Sequence, residues 1–329
     1  MASGELLDGR RLEVFRLPMT TRFRGVTSRE GVVVFGDAGV GEFSPFWDYD
    51  ATESAIWLRA ALEAADVGPP AALRDRVPVN CTVPAVGPER AAAIVRDSNG
   101  CRTAKVKVAE RGQTLDDDVA RVAAVRAALG SEGRLRVDAN GGWSVEDAIA
   151  ALRELSQFDL EYAEQPVAEV VGLRDVRART SVPIAADESI RRARDPLRVA
   201  QLAAADVVVL KVQPLGGVRA CLAVADELGL PVVVSSALES SVGIAAGVAL
   251  AAALPDLQFA CGLATTALLD GDLVRNPAVV ADGAIAVDAP AIDDDALDRH
   301  RADAETHRRW LDRIAACERV LSEPVRGPS

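Results

Sequence analysis

Lysine is rare in this sequence, and its positions indicate chemistry rather than surface charge. Only three of the 37 basic residues are lysine, namely Lys105, Lys107 and Lys211. Arginine serves equally well as a surface charge, but only lysine has a pKa that its surroundings can bring into the working range of a base. Lys105 and Lys107 alternate with Val106 and Val108 in a strand-like segment, so both lysines share one face and are expected to point inward. Repulsion between the two ammonium groups then lowers the pKa of at least one of them.

Three other strand-like segments end in an acidic residue, at Asp138, Glu164 and Asp187. Neighbouring strands lie about 4.8 Å apart, so carboxylates at three successive strand ends can reach a single ion. Oxygen ligands without histidine or cysteine nearby favour a hard cation, which we expect to be Mg²⁺, with Mn²⁺ as an acceptable substitute. Alternation alone does not separate Asp187 from Glu188 as the third ligand. Asp187 is preferred because Ala185 then shares its inward face, and Glu188 is assigned to a supporting place behind the ligands.

All six of these lysines and acids belong to a regular series of apolar runs, each followed by a turn and a helical pattern. The runs start 23 to 32 residues apart and cover 79–83, 103–108, 135–138, 160–164, 184–187, 207–212, 232–235 and 257–262. Eight such units predict an α/β fold, a parallel (β/α)₈-type barrel over 78–290, whose C-terminal strand ends carry the active site. A doubly wound sheet shares this period, but no GxGxxG motif follows a strand here. In the barrel, Lys211 on the sixth strand faces Lys107 on the second across the mouth.

The two ends of the chain follow a different pattern. Residues 1–77 predict a separate α+β module. Its strand-like segments are 11–17, 31–35 and 40–43, and its helical segment is 51–65. A long helix predicted at about 295–321 is expected to return and pack on this module or on the flank of the barrel.

Composition excludes several classes of site and partner. The two histidines, His300 and His307, lie near the C-terminus, which argues against a His-based triad or a His-ligated metal in the main body. The five cysteines form no CxxC pair, which fits a reducing compartment, and we expect the cytoplasm. The net charge of −12 disfavours nucleic acid and anionic membranes as partners. The longest uncharged stretch, between Glu239 and Asp256, has 16 residues and predicts a buried helix rather than a membrane span.

These residues together suit the removal of a proton next to a carboxylate. A carboxylate substrate bound to Mg²⁺ has an acidified α-proton, and a lysine beside the substrate can remove it. We therefore expect a small-molecule carboxylate as the partner. The sequence leaves the oligomeric state open, and a monomer is compatible with it.

The paired lysines, the three strand-end acids and Lys211 resemble the muconate-lactonizing subgroup of the enolase superfamily. The resemblance implies that Asp138, Glu164 and Asp187 bind Mg²⁺, that Lys107 is the base, and that residues 1–77 cap the barrel. Segments 22–25 (RFRG) and 41–46 (GEFSPF) resemble the o-succinylbenzoate synthases of menaquinone biosynthesis. Such lyases dehydrate 2-succinyl-6-hydroxy-2,4-cyclohexadiene-1-carboxylate to 2-succinylbenzoate.

Six further residues are assigned to the substrate or to its surroundings. Arg136 shares an inward face with Asp138 and is expected to touch the substrate or the acids, and Asn140 is expected to support the metal site. Ser235, Ser236 and the start of the following helix are expected to receive the succinyl carboxylate, because a helix N-terminus binds anions. Phe23 and Arg24 are expected to shape the pocket from the capping module.

Two alternatives remain open. An N-acylamino acid racemase or dipeptide epimerase uses the same acids and both opposed lysines, but the epimerase usually carries an acidic DxD motif after the eighth strand. The corresponding residues here, 261–266, contain no acid. A metal-binding barrel without catalysis is disfavoured, because lysine then has no advantage over arginine at these positions.

Overall fold

The computed structural model describes residue 7 and residues 9–23, 25–193 and 196–323. Its strands are β1 Leu12–Phe23, β2 Val26–Gly36, β3 Gly39–Phe43, β4 Arg76–Pro78, β5 Cys81–Val83, β6 Thr103–Lys107, β7 Arg134–Asp138, β8 Leu160–Glu164, β9 Ile184–Ala186, β10 Val207–Leu210, β11 Val232–Val234 and β12 Ala284–Ala286. Its α-helices are α1 Ala51–Asp66, α2 Pro88–Arg96, α3 Leu115–Leu129, α4 Val145–Leu155, α5 Val170–Arg177, α6 Glu188–Arg191, α7 Arg198–Gln201, α8 Val212–Leu215, α9 Val218–Leu228, α10 Ser241–Ala253, α11 Asp294–Arg299 and α12 Ala304–Ser322.

The N-terminal strands form an antiparallel sheet, β1-β2-β3, against which α1 packs. At the start of helix α1, the Asp50 side chain accepts a hydrogen bond from Glu53 N, and the Glu53 side chain accepts one from Asp50 N. This reciprocal pair satisfies two backbone N–H groups that have no partner within the helix. Trp57 of α1 and Trp310 of α12 are buried in the same hydrophobic cluster. The three predicted strands and the predicted helix of this module are confirmed.

The predicted single C-terminal helix at 295–321 is wrong, because the chain forms two helices, α11 and α12. The residues between them pair with the edge of β1: Arg16 N donates to His300 O (2.8 Å) and Ala302 N to Val14 O (3.0 Å). Asp303 then accepts a hydrogen bond from Thr306 N (2.8 Å) and starts α12. Pairing with an open strand edge and a capping side chain therefore interrupt a pattern that is otherwise helical.

Seven parallel strands, β5 to β11, form the barrel sheet in chain order. The predicted eighth strand at 257–262 is not a regular strand. Only Cys261 and Gly262 form bridges, to Val79 beside β5 and to Ser235 beside β11, and these two residues close the ring. Phe259, just before them, contributes its side chain to the barrel interior. The (β/α)₈-type architecture is thus confirmed with a very short closing segment.

Side chains along the barrel strands point in turn to the barrel interior and to the surrounding helices. One set of side chains fills the barrel interior, namely Tyr162, Ala185, Val207, Val209 and Val233. The opposite faces pack against the surrounding helices in the largest hydrophobic cluster. The uncharged stretch after Glu239 forms the buried helix α10. Within the described residues, no helix is both long and apolar enough to cross a membrane.

The N-terminal sheet is joined to the barrel by buried polar contacts. Glu42 of β3 accepts hydrogen bonds from Ser240 N (3.1 Å) and Gly243 N (3.1 Å) at the start of α10. Arg29 of β2 donates to the carbonyl of Leu238 (3.0 Å), and Ser44 N donates to Gln213 Oε1 (3.1 Å). These contacts hold the N-terminal sheet against the loops that follow the barrel strands, so the sheet caps the C-terminal strand ends.

Candidate active site at the mouth of the barrel

The three predicted acids lie together at the C-terminal ends of adjacent strands. Asp138 ends β7, Glu164 ends β8 and Asp187 follows β9, and each is at most 1% exposed. The parallel register pairs Asp138 with Glu164 and Glu164 with Ala185. The alternation within each strand turns these side chains inward, as the sequence predicts.

All three lysines point at these acids. Lys105 Nζ lies 2.8 Å from Glu164 Oε1 and 3.1 Å from Asp138 Oδ2. Lys107 Nζ lies 2.5 Å from Asp138 Oδ2. Lys211, which follows β10, places its Nζ 2.5 Å from Asp187 Oδ2. Each carboxylate is therefore paired with an amine from another strand, and Lys105 and Lys107 share the inward face of β6.

Burial and neighbouring charges act in opposite directions on these groups. Burial raises the pKa of Glu164 to about 7, and the nearby charges of Asp138 and Asp187 add to this effect. Burial lowers the pKa of Lys105, but the charges of Glu164 and Asp138 outweigh it and hold the pKa above its usual value. The expected lowering of a lysine pKa is therefore not met at Lys105, because the prediction counted the neighbouring ammonium and omitted the facing carboxylates.

The donor set at the strand ends fits a hard divalent cation. Three buried carboxylates repel one another there, and Glu188 Oε2, at the same edge, is buried without a hydrogen-bond partner among the described residues. The three carboxylates turn toward the lysines. In this arrangement, no group of three or more His, Cys, Asp or Glu side chains among the described residues is placed to hold a metal ion. A cation that takes over the oxygens of Asp138, Glu164 and Asp187 relieves the repulsion between them.

Asn140 and Glu188 lie beside the acids and are hydrogen-bonded to each other. Asn140 has a left-handed backbone (φ 46°), and its N–H donates to Asp138 Oδ1 at 3.0 Å. Its side chain accepts a hydrogen bond from Lys107 Nζ (2.6 Å) and donates to Glu188 Oε1 (3.2 Å). Asp187 rather than Glu188 is the residue paired with Lys211.

Ser235 and Ser236 line a small cavity at the mouth, together with two threonines that the sequence analysis missed, Thr82 and Thr265. Ser236 Oγ lies 2.7 Å from Thr265 Oγ1. Thr265 follows the irregular closing segment, so no alternation pattern identifies it. The cavity has a volume of about 30 Å³.

The start of α10 does not offer free donors to a substrate carboxylate. Ser240 N and Gly243 N donate to Glu42, and Ser241 N donates to Asp272 Oδ1 (3.1 Å). These backbone donors at the start of α10, which the sequence predicts as a site for the succinyl carboxylate, are thus already paired with acidic side chains of the protein. Sequence periodicity predicts where a helix starts. It does not predict which acid, remote in sequence, accepts hydrogen bonds from the first backbone N–H groups of the helix.

Arg136 is not among the residues that line the cavity. It is fully buried within the barrel, where its Nε lies 2.5 Å from Glu161 Oε2 and its Nη1 donates to Ala260 O (2.7 Å). Phe23 ends β1, but its side chain lies outside what the structure describes, and Arg24 also lies outside the described residues.

Comparisons with known proteins agree with this architecture. Residues 14–65 match the model of the enolase N-terminal domain-like family, and residues 89–291 match the enolase C-terminal domain-like family. Among solved structures, the L-Ala-D/L-Glu epimerase of Bacillus subtilis superposes with a TM-score of 0.74 at 26% identity, covering 86% of this chain and 97% of that one. Muconate lactonizing enzyme from Pseudomonas putida gives a TM-score of 0.77 at 21% identity, covering 90% and 99%, and shows the shared fold.

Curated relatives are much closer in sequence. The o-succinylbenzoate synthase of Thermobifida fusca (strain YX) is 58% identical over 314 residues, covering 95% of this chain and 98% of the relative. The o-succinylbenzoate synthase of Mycolicibacterium smegmatis is 54% identical over 313 residues, covering 94% and 96%. Similarity of this extent, together with the match to both enolase-like domains, shows that the chain belongs to the o-succinylbenzoate synthase family of the enolase superfamily.

Proposed function

We propose that this protein dehydrates 2-succinyl-6-hydroxy-2,4-cyclohexadiene-1-carboxylate to 2-succinylbenzoate in menaquinone biosynthesis. The observation that carries the proposal is the convergence of three buried strand-end carboxylates with three lysines at the barrel mouth. The relatives named o-succinylbenzoate synthase support the choice of substrate.

Asp138, Glu164 and Asp187 are the residues that would hold the divalent cation, which we propose to be Mg²⁺, with Mn²⁺ as a substitute. When bound, the cation withdraws electron density from the substrate carboxylate and so acidifies the neighbouring C–H bond. Lys105, between Glu164 and Asp138, holds these two acids in place.

We assign the proton transfer to Lys107. Its side chain is the most exposed of the three lysines at 12%, and it lines the cavity. The neutral Lys107 amine accepts the α-proton, the electron pair of the C–H bond forms the new ring double bond, and the C–O bond to the hydroxyl breaks. The resulting ammonium returns the proton to the departing hydroxide, so one water leaves and Lys107 is again neutral. Formation of the aromatic ring drives the reaction.

Lys211 approaches from the other side of the acids and is assigned an electrostatic role. Its amine is paired with Asp187, and it lines the same cavity as Lys107. A positive charge there stabilises negative charge that develops on the substrate during deprotonation.

The opposed lysines also suit an N-acylamino acid racemase or a dipeptide epimerase, the second candidate function. Thr265 stands in the region where a dipeptide epimerase carries an acidic motif, and its neutral hydroxyl cannot form an ion pair with a substrate ammonium. The relatives named o-succinylbenzoate synthase favour the synthase over both isomerases.

One experiment separates the two activities. The purified protein is incubated with the cyclohexadiene substrate and Mg²⁺, and in parallel with an N-succinylamino acid in D₂O. We expect new aromatic absorbance in the first reaction. Deuterium exchange at the α-carbon in the second, without aromatic product in the first, would instead assign the protein as a racemase.

We propose that the reaction takes place in the cytoplasm on a small-molecule carboxylate. The five cysteines are all free and buried, which suits a reducing compartment, and the net charge of −12 disfavours nucleic acid as a partner.

A further inference from the structure

A chain of hydrogen bonds runs from Lys107 to a tyrosine of the N-terminal module. Lys107 Nζ donates to Asn140 Oδ1 (2.6 Å), and Asn140 Nδ2 donates to Glu188 Oε1 (3.2 Å). The same Glu188 oxygen accepts a hydrogen bond from Arg191 Nη2 (2.5 Å), and Arg191 Nη1 donates to the hydroxyl of Tyr49. The chain therefore connects the proposed base with the capping module.

Arg191 is the branching point of this network. Its Nε donates to Asp187 Oδ1 at 3.0 Å, while its two terminal nitrogens contact Glu188 and Tyr49. Its side chain is only 2% exposed. Because the guanidinium is a rigid planar fork, three contacts in different directions leave it a single orientation. That orientation sets the positions of both Asp187 and Glu188.

Tyr49 is itself held firmly by the N-terminal module. Its ring packs edge-on against Trp57 of α1, with 5.3 Å between ring centroids. Its carbonyl oxygen accepts a hydrogen bond from Arg313 Nη2 of α12 (2.8 Å), and the next residue, Asp50, caps α1. The position of the Tyr49 hydroxyl is therefore fixed by elements outside the barrel.

We propose that Tyr49 is a positioning residue for the dehydration: its hydroxyl orients Arg191, which in turn orients Asp187 and, through Glu188 and Asn140, the Lys107 amine. The inference rests on the proposed function, because it takes Lys107 as the base and Asp187 as a ligand. It also gives the capping module a part in the reaction that does not require contact with the substrate.

The test compares the only two tyrosines of the chain, each changed to phenylalanine. Tyr49→Phe keeps the ring packing and removes the hydroxyl. We expect its kcat to fall about tenfold and the Mn²⁺ dissociation constant of the full-length protein to rise about tenfold, which is the lower end of the cost of losing a direct partner of a ligand, because the hydroxyl acts on Asp187 through Arg191. The KM for the substrate should remain that of the wild type, because the cavity does not change. The thermal midpoint should fall by only a few degrees, because the buried Arg191 guanidinium loses one of its three partners.

Tyr162→Phe is the matched control. The Tyr162 hydroxyl is buried in the barrel without a hydrogen-bond partner among the described residues, so its removal should leave kcat and Mn²⁺ affinity unchanged. Equal kcat and Mn²⁺ affinity in Tyr49→Phe and the wild type would overturn the inference, as would equal losses in both tyrosine variants.

Arg191→Lys keeps the positive charge but cannot make all three contacts. If Tyr49 acts through Arg191, adding Tyr49→Phe to Arg191→Lys should cost little beyond the single change, whereas fully additive losses would overturn the inference. A wild-type protein that forms no aromatic product would defeat the proposed function. An active wild type with an unaffected Tyr49→Phe variant would defeat this inference alone.

Discussion

At the scale of single residues, the strand-end acids and the lysines form one charge-balanced cluster. Asp138 and Glu164 face the two lysines of β6, and Asp187 faces Lys211, which follows β10. The sequence was sufficient to predict these acids and lysines, because strand alternation and strand ends are local properties. It was insufficient for their pairing, which depends on side chains that approach from separate strands.

Tyr162 provides a prediction about stability. Its hydroxyl lies in the barrel interior without a hydrogen-bond partner among the described residues, and such a buried polar group costs free energy. Tyr162→Phe retains the ring, against which Arg136 packs at 4.7 Å. We expect the free energy of unfolding to rise by about 1 kcal/mol, measured by urea denaturation. A loss of stability would show that the hydroxyl has a partner in solution.

Glu42 provides a prediction about pH. Burial and the charge of Glu239 raise its pKa from 4.5 to about 7, although Arg29 acts in the opposite direction. Between these values the folded protein holds a proton that the unfolded chain has released, so the free energy of unfolding falls as the pH rises. The contribution is on the order of 3 kcal/mol between about pH 4.5 and about pH 7.

Glu42→Gln should flatten this part of the curve of unfolding free energy against pH. Urea denaturation of both proteins across the interval measures the difference. A variant with the same slope as the wild type would show that Glu42 does not titrate in this interval.

At the scale of elements, regular strands and helices were predictable, whereas their interruptions were not. The run at 160–164 coincides with β8, although the register against β7 shifts by one residue after Leu160. The closing segment at Cys261 and Gly262 is defined by its two neighbours in the ring rather than by its own sequence pattern. The break before α12 likewise depends on pairing with β1, which is remote in sequence.

The start of α12 can be tested directly. Asp303→Ala removes the side chain that accepts the hydrogen bond from Thr306 N, and we expect the free energy of unfolding to fall by about 1 kcal/mol. Asp312→Ala, at an exposed position within the same helix, is the matched control and should have a much smaller effect. Equal effects of the two changes would show that Asp303 is not a significant cap.

At the scale of the whole molecule, we propose two domains: a cap of residues 1–77 joined by the C-terminal helices, and a barrel of residues 78–290. The pairing of β4 with β12 ties residues just before this boundary to the barrel side. The hydrophobic cluster of the cap includes Ala237, Leu238 and Leu268 from the loops of the barrel. The cap therefore shares its core with the mouth of the barrel.

This shared core predicts that cap and barrel unfold together. Three of the four tryptophans, Trp47, Trp57 and Trp310, belong to the cap side, so tryptophan fluorescence reports mainly on the cap. Far-UV circular dichroism reports on the whole fold, most of which is barrel. We expect the two signals to give the same denaturation midpoint. A fluorescence transition at a lower denaturant concentration would show that the cap unfolds independently.

The central claim is that the Lys107 amine removes the substrate proton at the mouth of this barrel. The rate of aromatic product formation by Lys107→Arg, with Mg²⁺ present, tests it most directly, because arginine keeps the positive charge but cannot act as a base near neutral pH. We predict that turnover falls about 10³-fold while the circular dichroism spectrum and Mg²⁺ binding are retained. Turnover equal to that of the wild type would contradict the assignment.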